Sequence, residues 1–312
     1  MPQDKAPPRV VFLAGPTASG KSALALALAR ELGGAIVNAD SMQVYRDLRV
    51  LTARPSEAEE REAPHLLYGH VDAARNYSVG LWLKDFEAAL ARLAAGRQTA
   101  VVTGGTGMYF KAALYGLSEI PPVPEKVREV VRARFEGKTP QDMHRALAAL
   151  DPVSAGRLRE TDPQRLLRAL EVFEATGRPL ASFQEARAAP ILTAESCPAF
   201  FVAPSREALY ARIDARFDAM LEQGALEEVR ALAARGLDPA LPAMRAHGVP
   251  HLIAHLEGRL SLEEAAARGK LDTRHYAKRQ FTFARHQLPS FSWLEGPDPQ
   301  GEALAALRGR ET

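Results

Sequence analysis

Eight consecutive residues, Gly15-Pro16-Thr17-Ala18-Ser19-Gly20-Lys21-Ser22, have the types and spacing to grip phosphate. They match the G-x-x-x-x-G-K-S pattern of a P-loop, behind the apolar run "VVFLA" and ahead of "KSALALALARE". The glycines let the backbone aim its N–H groups at anionic oxygens, and the helix that follows offers its positive end. Lys21 adds a full charge, and the Ser22 hydroxyl can ligate magnesium. A second stretch, "AIVNAD", ends on Asp40 and runs into Ser41, Met42 and Gln43. A carboxylate there reads as a general base beside a bound phosphate compound, or as a helix N-cap. A third, "VTGGTGMYF", carries Thr103 and Thr106 among glycines; it suits a tight turn, or a surface that a ligand approaches closely. The strand ending there has no acid of the kind that holds metal and water in an ATPase, which weighs against a motor or a switch.

These residues need elements to position them. "RVVFLAG", "AIVNAD" and "TAVVTGG" read as strands, and "KSALALALARELGG" and "VGLWLKDFEAALARLAAG" as helices stopped by glycine. Alternation of this kind predicts a parallel sheet with helices on both faces. Strand ends then share one edge, so Lys21, Asp40 and Thr106 are expected in a single crevice. The prolines of "YGLSEIPPVPEK" mark a boundary. From about Glu125 to Glu185 only helical patterns follow, before a strand returns in "PAFFVAP" and a helix in "REALYARIDARFDAMLEQG". The fold class expected is α/β: a P-loop NTPase-like core over 8–118 and 197–295, an all-helical insertion over 119–196, and a peripheral tail over 296–312.

One cysteine, Cys197, excludes an internal disulfide and a cysteine-based zinc site. The polar, proline-rich start lacks a signal-peptide core, and no run approaches the ~18 apolar residues of a membrane span. A cytoplasmic protein with no membrane partner is expected. The net charge is only +2, yet Arg268 to His286 holds six Lys/Arg against one acid, Asp272. That is a candidate phosphate-binding surface.

Several stretches occur together and in order: "GPTASGKS", "NADSMQVYRDL", "TARPS", "NYSVGLWLKDF", "GGTGMYFKAALYGLS", "DPQRLLRALEVFEATGRP" and "TRHYAKRQFTFARHQL". With them the chain resembles the bacterial tRNA dimethylallyltransferases, from about Val10 to Trp293. The resemblance implies that the loop holds dimethylallyl diphosphate rather than ATP. It implies transfer of the dimethylallyl group to the exocyclic amine of the adenosine 3′-adjacent to the anticodon, with diphosphate leaving. That base must leave the stack to be reached. Gly15 to Ser22 would bind diphosphate, with magnesium at Ser22. Asp40 would be the general base, Ser41, Met42 and Gln43 would shape the base pocket, and Thr106 would hold the amine or a phosphate oxygen.

By the same resemblance, Arg212 and Arg216, four apart on one helix face, would steady the leaving diphosphate. Without it they read as solvated surface. Gln164, Arg165, Leu166, Leu167 and Arg168, with Arg128, would contact the anticodon arm. Arg274, Lys278 and Arg285 fall within ~40° of one another on an ideal helix, a basic stripe that, with Arg279 and Gln280, would follow tRNA. The insertion and the C-terminal helices would hold the anticodon stem-loop, and the protein would act as a monomer. The usual "IGYKE" is replaced here by "AHGVPH", Ala246 to His251, and the usual "GTAKP" by "LTARP", which puts Arg54 in place of lysine. A P-loop small-molecule kinase, an adenylate isopentenyltransferase and a non-catalytic RNA-binding protein are the competing readings.

Overall fold

In the computed structural model the described residues are 9–183 and 188–309. They form two compact units, one running to Tyr115 and resuming at Ile191, the other Gly116–Pro190. The strands are β1 (Val10–Ala14), β2 (Ala35–Asn38), β3 (His65–Leu66), β4 (Ala100–Gly104), β5 (Ala199–Val202) and β6 (Ser292–Leu294). The first unit's helices are α1 (Lys21–Glu31), α2 (Glu57–Glu62), α3 (Val79–Ala95) and α4 (Gly107–Tyr115), then α9 (Arg206–Glu222), α10 (Ala225–Ala233), α11 (Val249–Leu256), α12 (Leu262–Gln287) and α13 (Pro299–Arg308). The second unit holds α5 (Glu125–Phe135), α6 (Pro140–Leu150), α7 (Pro152–Arg157) and α8 (Pro163–Thr176).

All strand pairings are parallel, in the order β3-β2-β4-β1-β5-β6. Every residue of β1 is buried, because both faces of the sheet are covered. Val10, Phe12 and Ala14 face α3 and α4, where Trp82 stacks between Phe86 and Tyr109. Val11 and Leu13 face α1 and α13. The parallel sheet matches expectation; β3 and β6 are additions at its edges.

The core resumes earlier than the expected 197. Leu192 N–H donates to Ala113 of α4 at 3.1 Å, and Ile191 and Leu192 pack on the sheet core. The stretch expected to be a peripheral tail is instead, over 299–308, the helix α13, whose Ala303 and Leu307 are buried with Val11, Leu13 and α1 on the other face of the sheet. Residues 1–8, 184–187 and 310–312 lie outside the described residues, among them the end of the helical stretch expected to reach about Glu185 and the last three residues of the expected tail.

A further core lies under the segment that follows Asp40. Tyr45, Leu48 and Leu51 pack with Phe217 and Met220 of α9, Val229 of α10 and Leu252 of α11. Glu228 of α10 fastens this segment, accepting the N–H groups of Arg49, Val50 and Leu51 at 2.6, 2.7 and 2.9 Å. A carboxylate that gathers three backbone donors adds to the turn's own bonds, Ala53 N–H to Val50 O at 2.9 Å and Arg54 N–H to Arg49 O at 3.0 Å.

Candidate active site

The loop after β1 is shaped before any ligand arrives. Ala18 and Gly20 take positive φ, 62° and 93°, and Ser19 N–H closes on Pro16 at 3.2 Å. Gly15 is required by space: a Cβ would lie 2.9 Å from Ser19 Oγ and 3.1 Å from the Val202 carbonyl. Lys21 lies folded over the loop, Nζ 3.2 Å from the Pro16 carbonyl. Burial lowers its pKa to about 8; Asp40 opposes that shift and Arg216 adds to it. Arg216, from α9, donates to Thr17 Oγ1. Its own pKa is pushed down by burial and supported by Asp40. Three cationic or hydrogen-bonding groups and one carboxylate thus converge on the loop.

Asp40 is not a helix cap, since no helix follows it until α2. Its Oδ1 accepts Met42 N–H at 2.9 Å. Its backbone is pinned by Asn38, wholly buried, whose Oδ1 accepts Asp40 N–H at 2.8 Å and whose Nδ2 donates to Asp40 O and Leu67 O, both at 3.0 Å. Thr106 works on the same segment. Its N–H donates to Ala39 O at 3.1 Å; its hydroxyl accepts Ser41 N–H at 2.9 Å and donates to Ser41 Oγ at 3.1 Å. Thr106 and Ser41 therefore hold the strand-end turn that presents Asp40. Gly104 is where β4 meets this turn: a Cβ there would collide with Ala39.

Thr17, Asp40 and Arg216 open onto a solvent-connected cavity. Its other walls are Met42, Leu51, Ile213, Phe217, Met220 and Ala246, with Thr52, His247, Thr273 and Tyr276. An apolar cleft with a few convergent polar groups and shifted pKa values is the usual form of a ligand site. The match to known proteins is as specific as the geometry. The IPP transferase family matches residues 43–287, and the isopentenyl transferase family matches residues 8–67. A tRNA dimethylallyltransferase of Methylocella silvestris is 60% identical over 298 residues, 95% of this chain and 97% of that protein. The chain belongs to the tRNA dimethylallyltransferase family. Another member, from Bradyrhizobium sp., is 60% identical over 293 residues, 94% of this chain and 96% of that protein. Among solved structures, a tRNA isopentenylpyrophosphate transferase of Staphylococcus epidermidis shares 27% identity with TM-score 0.69, covering 98% of this chain and 100% of that one. A eukaryotic dimethylallyltransferase acting on tRNA gives TM-score 0.79 at 25% identity, over 97% of this chain and 77% of that one.

Other residues expected in a dimethylallyltransferase site are placed differently from one another. Arg212 is exposed, one turn before Arg216. Met42 lines the cavity, whereas Gln43 donates to the carbonyls of Thr52 and Ala53, each at 2.9 Å, and so braces its own loop. Arg54 reaches the carbonyls of Tyr45 and Arg46, against Gly69. Gln280 is buried rather than turned outward: its Oε1 accepts Thr17 N–H at 3.0 Å and its Nε2 donates to Gly105 O at 2.8 Å. It latches the phosphate loop to the turn after β4. Arg274 is half-buried and forked onto Asp214 of α9, Nε 3.0 Å from Oδ1. Of the basic stripe, Lys278, Arg279 and Arg285 remain exposed.

In the helical unit, Leu166 is core and wholly buried, so its side chain is no contact; Leu167 is half-buried on the same core. Gln164 and Arg165 are exposed, Arg165 pairing with Asp162 at 3.3 Å. Glu171, 5% exposed, draws Arg132 and Arg168 to 3.5 and 3.8 Å. Arg128 leans on Glu125 at 3.6 Å while its buried Nε has no hydrogen-bond partner among the described residues.

Proposed function

We propose that the enzyme transfers the dimethylallyl group of dimethylallyl diphosphate to the exocyclic amine of the adenosine 3′-adjacent to the anticodon of tRNA. The observation that carries this is a carboxylate, Asp40, sharing a largely apolar cavity with Thr17 of a diphosphate-gripping loop and with Arg216 of α9, which donates to Thr17. The loop amides, Lys21 and Arg216 hold the diphosphate, and Ile213, Phe217 and Met220 face a hydrocarbon without competing for charge. The amine nitrogen attacks the first carbon of the allyl group. That carbon's bond to oxygen breaks, diphosphate leaves with the bonding pair, and Asp40 takes the proton from nitrogen. Fixed cations beside the leaving group lower the barrier because its charge grows in the transition state.

Magnesium fits the residues present. Ser22 is exposed at the first turn of α1, and its hydroxyl is bonded to nothing else among the described residues. One hydroxyl plus phosphate oxygens and water is the kind of donor set this ion prefers. Bound there, it would neutralise diphosphate charge. The acceptor arm would be read by Arg128, Gln164, Arg165 and Arg168 and by the exposed part of the α12 stripe. The protein would act as a monomer in the cytoplasm; among the described residues no helix is long and apolar enough to cross a membrane.

Asp40→Asn tests the base. It keeps the shape and the bond from Met42, so tRNA binding should stay within about twofold while turnover falls by roughly 10²–10⁴. Turnover at the wild-type rate would remove Asp40 from the reaction.

A further inference from the structure

The cavity contains one polar side chain with no place in the diphosphate chemistry and no hydrogen-bond partner of its own among the described residues: His247. Its polar neighbours are occupied. Thr52 Oγ1 donates to Leu48 O at 2.6 Å, Thr273 Oγ1 to Gly269 O at 2.7 Å, and Tyr276 OH lies 3.5 Å from Gly105 O. Arg216 and Thr17 hold each other, and Asp40 faces the reaction.

The imidazole is nonetheless held in place. It lies on Tyr276, ring centroids 4.7 Å apart at 45°. Its backbone is fixed on both sides: Ala246 N–H bonds Ala243 O at 3.2 Å, and Val249 N–H bonds Ala246 O at 2.9 Å. Gly248, at φ 93°, is wedged so that a Cβ would sit 3.1 Å from the Phe217 ring and 3.3 Å from Leu51. A fixed polar tip with open hydrogen-bonding capacity, facing a cavity, calls for a partner from outside the protein.

The partner's chemistry follows from the ring's charge. Burial and Arg279 push the His247 pKa down, against the pull of Asp272 and Asp40, which favours the neutral ring. A neutral imidazole carries one N–H and one lone pair, a poor match for diphosphate but a good one for a heterocycle. Beside it Tyr276 adds an aromatic ring to the same wall, with Arg279 over it at 5.6 Å, and aromatic walls are the usual companions of an unstacked base.

We propose that His247 donates its N–H to a ring nitrogen of the acceptor adenine, N1 or N7, and so sets which base, and in which orientation, brings its amine to Asp40. His247 lies in the stretch "AHGVPH", where the resemblance leads one to expect "IGYKE". The proposal rests on the acceptor reading above.

The test is steady-state transfer from labelled dimethylallyl diphosphate to synthetic anticodon stem-loops. Each carries adenosine, 1-deazaadenosine or 7-deazaadenosine at the acceptor position. His247→Phe keeps a flat ring on Tyr276 and removes the hydrogen bond; His247→Gln keeps a donor. We expect His247→Phe to lower kcat/KM for RNA by roughly 10- to 100-fold with KM for the diphosphate unchanged, and His247→Gln to recover most of the loss. For the wild type, one of the two deaza substrates should carry a similar penalty, and that penalty should vanish in His247→Phe. Wild-type kcat/KM in His247→Phe, or deaza penalties of equal size in both proteins, would overturn the assignment. A wild-type protein that prenylates no RNA would instead overturn the acceptor reading beneath it.

Discussion

Gln280→Met separates two accounts of one residue. In its family setting Gln280 belongs to a basic stretch expected to meet tRNA, but here its amide joins the phosphate loop to the turn after β4. Methionine keeps length and flexibility and abolishes both hydrogen bonds. Thr17 N–H is then left unpaired and Gly105 C=O keeps only the long contact from Tyr276 OH at 3.5 Å, at about 1–3 kcal/mol each where water cannot reach. Thr17 lines the open cavity, so solvent recovers part of its loss. The net cost is then about 2–3 kcal/mol. At roughly 2–4 °C per kcal/mol for a unit of this size, Tm should fall by about 4–12 °C. The loop that Gln280 holds should also grip diphosphate less well, raising KM for dimethylallyl diphosphate roughly tenfold with tRNA affinity within about twofold. Thermal denaturation and kinetics varied in each substrate separately give both numbers. An unchanged Tm and donor KM with weakened tRNA binding would refute the latch and return Gln280 to the RNA surface.

Two further outcomes follow from charge. Lys21, held near about 8 by burial, should lose its proton as pH rises through that value in the empty enzyme, while bound diphosphate raises its pKa again. Diphosphate binding therefore takes up a proton above about pH 8, and affinity for dimethylallyl diphosphate measured without tRNA should fall with rising pH there and stay level just below it; a level affinity up to about pH 10 would contradict this. Arg168→Ala should weaken tRNA binding and reduce the slope of log K against log salt by about one; an unaltered slope would count against a phosphate contact.

How far the amino-acid sequence foretells this molecule depends on the reach of each interaction. The phosphate loop is local: glycines, Lys21 and a helix rich in alanine and leucine sit side by side, and so do β1, β2 and β4. β3 and β6 have two and three residues and are strands only because a neighbour pairs with them. The same limit governs side chains. Gln280 meets Thr17 across 263 residues and Arg274 meets Asp214 across 60, so helical periodicity alone paints Arg274 as part of an outward stripe, and the resemblance alone counts Gln280 with it. Asp40 stands out as a carboxylate at a strand end, but Asn38, which pins it, looks like another strand residue. His247 shows only as a departure from a familiar pattern, and it takes Tyr276 from α12 to make a wall of it.

The most direct measurement is transfer of label from radiolabelled dimethylallyl diphosphate, with magnesium, to unmodified tRNA, beside a matched reaction holding AMP and ATP. The account predicts label on tRNA alone, at the adenosine next to the anticodon, with one diphosphate released per transfer and ATP untouched. Label on AMP, or ATP consumed with no prenyl transfer, would contradict it.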